Sequence, residues 1–129
     1  MILTFSKSNF VSRIALGIKK HTIREDKTDR WHRGRIIQFW FGSPRNPKNN
    51  PYQFREGICI STQKIEIEYQ GLKQNGEVYP AVKIDGKYID YHTKVILAIT
   101  DGFDSVAELF KWFDKDFSGK LIHWTDLKY

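Results

Sequence analysis

Three polar side chains of different chemistry fall within six residues of this chain: the amine of Lys19, the hydroxyl of Thr22 and the guanidinium of Arg24. They belong to the stretch Gly17-Ile18-Lys19-Lys20-His21-Thr22-Ile23-Arg24, which follows a helix-like segment and leads into a strand-like one. In an extended strand, successive side chains alternate faces. Thr22 and Arg24 then point one way and Ile23 the other, into a core. Lys19, just past the helix end, is placed to curl over the same side. The product is a small cationic site with one hydroxyl in it. The plainer alternative is a basic helix terminus and an ordinary strand, with the charges solvated.

The elements that must position these groups can be read in order. Met1 to Phe5 is a short strand, and Ser6 or Ser8 can cap the helix after it. Phe10, Val11, Ile14 and Ala15 recur at helical spacing, and Gly17 is a helix stop. His21 to Glu25 reads as a strand, and Glu25 to Arg33 as a charged connection whose only apolar residue is Trp31. Arg35 to Phe41 is a strong strand, β-branched and aromatic throughout. Residues 42–53 form the longest irregular stretch, with three of the four prolines and with Arg45, Lys48 and Tyr52. Phe54 to Tyr69 is a long alternating pattern with a break near Ser61 to Lys64. Val78 to Tyr91 is a hairpin turning at Asp85-Gly86. Lys94 to Thr100 is apolar and fits helix or strand. Asp101-Gly102-Phe103 is a turn, and Asp104 or Ser105 caps a further helix with a buried face of Val106, Leu109, Phe110 and Phe113. Ser118-Gly119 ends that region, and Lys120 to Leu127 closes the chain as a strand. The sum is a single α+β domain over residues 1–129, with a mostly antiparallel sheet curling toward a barrel.

Charge is distributed unevenly. Residues 1–55 carry 12 Lys/Arg against 3 Asp/Glu, and residues 56–129 carry 9 against 12. All seven arginines lie in the first part. Arginine suits bidentate phosphate contact and stacking on bases, so the bias favours a polyanionic partner, nucleic acid first. Arg24, Lys20, Arg30, Trp31, Arg45 and Tyr52 are the expected ligand-binding residues, the last two from the long loop. With 40% apolar residues the chain can build a core. The N-terminal segment lacks the pattern of a secretory signal, and no stretch approaches a membrane span. One cysteine, Cys59 in a strand-like run, reads as a buried inert thiol. These features fit a cytoplasmic protein. The four histidines are scattered, and there is no phosphate-cradling glycine loop and no Gly-x-Ser-x-Gly elbow. Neither a metal nor a cofactor is expected.

The pattern Gly17-x-Lys19-x-x-Thr22-x-Arg24 after a short strand and helix resembles the signature of the ASCH domain family. The later order is also similar: Gly34 after a charged linker, a strand, then Asp101-Gly102-Phe103 leading into a helix and a final strand. The resemblance spans nearly the whole chain. It implies a PUA-like β-barrel with two or three flanking helices and a tie to RNA. Some small bacterial members of that family are amidohydrolases that remove the acetyl group from N(4)-acetylcytidine nucleosides. They use the Lys and Thr of the first motif and a Glu near the second. Carried over, the catalytic residues are Lys19, Thr22 and Asp101, the last an Asp where the family has Glu. Thr22 would be the nucleophile, and Lys19 its base if burial or the cations Lys20 and Arg24 lower its pKa. Asp101 would orient the amine or the substrate, and Arg24 would hold a phosphate or a base edge, or buttress the site. The implied functions are binding of RNA or a modified nucleoside, or amide hydrolysis on acylated cytidine.

Overall fold

A computed structural model describes residues 1–69 and 79–129. The described chain runs β1 (Ile2–Phe5), α1 (Ser8–Ala15), β2 (His21–Arg24), β3 (Ile36–Phe41), a 3-10 turn (Pro47–Asn49), β4 (Tyr52–Ile58), β5 (Ser61–Glu68), β6 (Ala81–Ile84), β7 (Lys87–Tyr88), α2 (Tyr91–Thr100), α3 (Val106–Trp112) and β8 (Phe117–His123). The α+β class agrees with the sequence pattern. The closed barrel does not: the described strands form two sheets, ordered β1-β3-β4 and β2-β8-β5-β6-β7. All pairings are antiparallel except β1 with β3, which is parallel because α1 and β2 intervene as a crossover.

The two sheets are joined where the long alternating pattern bends. The break falls at Cys59-Ile60, slightly before the expected position. Gly34 N–H donates to Cys59 O and Cys59 N–H to Arg35 O, which keeps that residue with the first sheet. Ile60 N–H donates to His123 O, which commits the chain to the second. The Cys59 thiol is buried between them, with its pKa raised by that burial, as an inert thiol requires.

The core is continuous. Phe5, Phe39, Phe54 and Trp124 form an aromatic cluster with ring centroids 5.0–6.4 Å apart. Ile65, Ile67, Leu121 and Ile122 of β5 and β8 are fully covered, with Leu97, Ala98 and Leu109 of the helices. Each buried Ile or Leu side chain among them contributes roughly 1.5–3 kcal/mol of transfer free energy.

Local chemistry explains most boundaries. Asp85 and Gly86 both take positive φ (52° and 81°), the backbone a two-residue hairpin between twisted strands demands. Val78, the expected start of that hairpin, lies outside the described residues. Ser105 caps α3 by accepting from Glu108 N–H, as the capping box implies. Neither Ser6 nor Ser8 caps α1: the N-cap is Lys7, with no side-chain bond, and Ser8 is already helical. Lys94 to Thr100 resolves as helix, extended back to Tyr91 and capped by Asp90, which accepts from Thr93 N–H. Gly119 is not a stop but part of β8, where a Cβ would meet Arg24 O of β2 at 2.4 Å. The closing strand ends at His123 rather than Leu127. Residues 42–53 are not wholly irregular, since Pro47–Asn49 forms the 3-10 turn and Tyr52 begins β4. No helix among the described residues is long and apolar enough to cross a membrane.

Candidate functional site

Lys19 reaches the interior because of how α1 ends. Gly17 takes φ +76°, and its N–H donates to Ile14 O while Ile18 N–H donates to Arg13 O. That is a Schellman motif with glycine at the left-handed position. Lys19 N–H also donates to Arg13 O, so the residue leaves the helix in a fixed direction. Its side chain is 1% exposed. The amine lies 4.6 Å from the Phe10 ring centroid and 5.7 Å from that of Phe5, inside cation–π range.

The partner element ends in the same way. Gly102 (φ +94°) donates to Ile99 O and Phe103 N–H to Ala98 O, a second Schellman motif closing α2. The two ends interlock. Lys20 N–H takes Thr100 O, and the Lys19 Nζ donates to Asp101 O at 2.5 Å. A cation at the negative end of a helix dipole is favourably placed. Gly102 is required by contact as well as by φ, since a Cβ there would meet Phe10 Cδ1 at 2.9 Å and Lys19 Cδ at 3.0 Å. Arg13 pins the same turn from outside, donating to Gly102 O and pairing with Asp104.

The Asp101 side chain faces the same cluster. Its Oδ1 lies 3.5 Å from Lys19 Nζ and 2.9 Å from His21 Nδ1. The far nitrogen of His21, Nε2, lies 2.6 Å from Tyr129 OH and 3.0 Å from Thr100 Oγ1. Arg24 donates from Nη2 to Thr4 O at 2.6 Å, while its buried Nε has no partner among the described residues. Burial lowers the Lys19 amine to about 8; the Asp101 carboxylate opposes this and the Arg24 cation adds to it. Burial also holds His21 below its ordinary range, against the pull of Asp101, so the imidazole is neutral at pH 7.

Lys19, Thr22, Arg24 and Asp101 thus line one cavity, together with Phe5, Phe10, Phe103 and Trp112. Its volume is about 60 Å³. That is room for about two waters or a two-carbon group, not for a nucleobase. Thr4 also lines a second, open groove of about 740 Å³, within the range of ligand sites. Arg30, Trp31 and Arg45 all lie on this groove, beside Lys27, Glu25 and Asp26. Asp26 is committed to structure: its carboxylate accepts Arg30 N–H and Trp31 N–H, both at 2.8 Å, and pairs with Lys120 at 3.0 Å. Trp31 is 6% exposed and packs with the core, so it forms the groove floor rather than a free stacking surface.

Two expected residues stand elsewhere. Tyr52 is absent from the lining of both cavities; it is half exposed on β4 and packs against Phe41 across the ladder. Lys20 contributes backbone bonds to Thr100 and Trp124, and the cation beside Lys19 is Arg24 alone of the two expected. Sequence reasoning missed His21, Thr100 and Tyr129. His21 lies inside the motif and Thr100 beside Asp101, which is the only local signal for either. Tyr129 carries none, being joined to His21 across 108 positions.

Among the described residues no group of His, Cys, Asp and Glu could hold a metal ion. Compared with protein-family models, curated proteins and solved structures, the chain matches none.

Proposed function

We propose that this chain is an ASCH-type, PUA-like domain that binds RNA or a modified nucleoside at the cationic cleft around Gly17 to Arg24. One observation carries the reading: Lys19, Thr22 and Arg24 share a single cavity with Asp101, which arrives from the end of α2, 82 positions beyond Lys19. The groove beside it supports a ligand larger than the cavity. In this reading the sugar and phosphates lie over Arg30 and Arg45, and a small substituent of the base enters between Phe10, Phe103 and Lys19. Binding of a short single-stranded RNA should then weaken linearly in log–log form with salt, with a slope of about −0.7 per phosphate neutralised. Affinity that is absent at low salt, or flat with salt, would reject it.

The lowered pKa of Lys19 in the same cavity as Thr22 favours a second reading, amide hydrolysis on acylated cytidine. A lysine that titrates near neutrality can act as a base. Lys19 would take the Thr22 proton as Oγ attacks the acetyl carbonyl. It would return that proton to the exocyclic nitrogen as the C–N bond breaks. Water would then hydrolyse the acetyl-threonine ester, releasing acetate and restoring the hydroxyl. Arg24 would stabilise the oxyanion formed in each step. Incubation with N(4)-acetylcytidine should release cytidine, and Thr22→Ala should abolish release while the circular dichroism spectrum is kept. No release by the intact protein rejects this reading and leaves the binding one standing.

A further inference from the structure

Asp101 Oδ1 is shared unequally. It lies 2.9 Å from His21 Nδ1, a hydrogen-bond distance, and 3.5 Å from Lys19 Nζ. A contact ammonium–carboxylate bond is about 2.7–2.9 Å, so the Lys19 ion pair is stretched beyond contact. The Lys19 amine instead donates to the neutral carbonyl of Asp101.

The protonation pattern of His21 follows from its neighbours. An ionised carboxylate only accepts, so Nδ1 must carry the proton. The imidazole is neutral, so Nε2 is an acceptor. Thr100 Oγ1 already donates to Ile96 O at 2.6 Å, and Tyr129 OH lies 2.6 Å from both Nε2 and Thr100 Oγ1, so the hydroxyls of Thr100 and Tyr129 share the Nε2 end of the ring. The ring is thereby held at both ends, with its edge packed against His123 at 5.1 Å between centroids.

We infer that His21 is a positioning residue: its Nδ1–H holds the Asp101 carboxylate back from a contact ion pair with Lys19, leaving that amine free to give up its proton. The other groups around Lys19 do not do this. From α1, Phe10 covers the amine, and Arg13 is engaged with Gly102 O and Asp104. Lys7 lies over the same Phe10 ring, 5.7 Å from its centroid. From β1 and the segment after β8 come the rings of Phe5 and Trp124. From β2 come the Arg24 cation, which disfavours the protonated amine, and the uncharged Thr22. Asp104 is taken up by Arg13, so among the described residues Asp101 is the anion that acts on Lys19, and its distance governs how firmly Lys19 keeps its proton. The catalytic meaning of this device rests on the hydrolase reading, whereas the hold on Asp101 does not.

The test is NMR on the full chain, following the ε-carbon of Lys19 through a pH titration. In His21→Leu the freed carboxylate should close on the amine and raise the Lys19 midpoint by about one pH unit or more. In His21→Asn, whose amide N–H stands where Nδ1 stood, the midpoint should stay near that of the unsubstituted protein. An unchanged midpoint in the leucine variant, or an equal rise in both variants, overturns the proposal. Should the variants fail to fold, ring ¹⁵N shifts of the unsubstituted protein decide it: a proton on Nδ1 is required, and one on Nε2 refutes it. The expected titrations with no cytidine released would remove the hydrolase reading alone.

Discussion

The deep cavity and the groove beside it both gather cations, and they hold them in opposite ways. Lys19 and Arg24 are enclosed and tied to backbone carbonyls, facing one carboxylate and a ring of aromatics. Arg30 and Arg45 are exposed, and neither guanidinium has a hydrogen bond or ion pair among the described residues. In the cavity, burial changes what the groups are: the amine titrates near 8 and the imidazole is neutral. In the groove the two arginines face solvent. Enclosed cations are suited to proton transfer and to holding one small group. Exposed ones are suited to a polyanion, through counterion release. The difference also separates two kinds of vulnerability, because only the enclosed charges are coupled to folding.

The sharpest break in that contrast is Asp101→Ala. It leaves the Lys19 ammonium buried with a carbonyl but no anion, and it removes the carboxylate that His21 holds. Removing one partner of a buried pair costs about 3–5 kcal/mol. Urea unfolding at neutral pH should show a loss of that size. A loss below about 1 kcal/mol would mean that water reaches Lys19 and that the cavity is no more enclosed than the groove.

A pH test comes next in size. The Lys19 pKa is about 8 in the folded chain against 10.5 for the free side chain. Below pH 8 both states are protonated and the cost of burying the ammonium is fully present. Between 8 and 10.5 the folded chain has lost the proton and the unfolded chain has kept it. The unfolded state then binds more protons, so stability rises with pH across that window. The full rise is on the order of 3 kcal/mol. Lys19→Met lacks this term and cancels the others, including Tyr129, whose phenol burial pushes up. The stability of the unsubstituted protein relative to Lys19→Met should therefore climb between pH about 8 and 10.5. A flat difference would place the Lys19 titration outside that range.

The parts of this arrangement that are local in sequence were legible, and the parts that depend on distant packing were not. Gly17 as a helix stop, Asp85-Gly86 as a hairpin turn and Ser105 as a cap each follow from one or two residues. Lys19, Thr22 and Asp101 were expected together only through a family resemblance; nothing local joins the end of α1 to the end of α2. The helix Tyr91–Thr100 was ambiguous because its sequence lacks a polar face: Ile96 and Ile99 are exposed while Lys94 is buried. The bend at Cys59-Ile60 has no glycine or proline to mark it, so the alternating pattern placed the break too late. The expected barrel failed for the same reason, since closure depends on how sheet edges meet. His21 reads in sequence as one of four scattered histidines because its partners, Asp101, Thr100 and Tyr129, are all remote along the chain.

The smallest effect on folding, and the one that tests the groove itself, is expected from Arg30→Ala combined with Arg45→Ala. Both side chains are exposed, and the loop carrying Arg30 is held by the Asp26 carboxylate, which bonds the Arg30 and Trp31 backbone rather than the guanidinium. The structural bonds therefore survive the change, and unfolding free energy should move by less than about 0.5 kcal/mol for each. Binding should respond instead: affinity for single-stranded RNA falls at low salt, and the log–log salt slope shrinks by about 1.4 if each guanidinium neutralises one phosphate. Weaker binding with an unchanged slope would mean that the arginines shape the groove without touching phosphate. An unchanged affinity would move the polyanion off this face altogether and leave the deep cavity to act on a free small molecule.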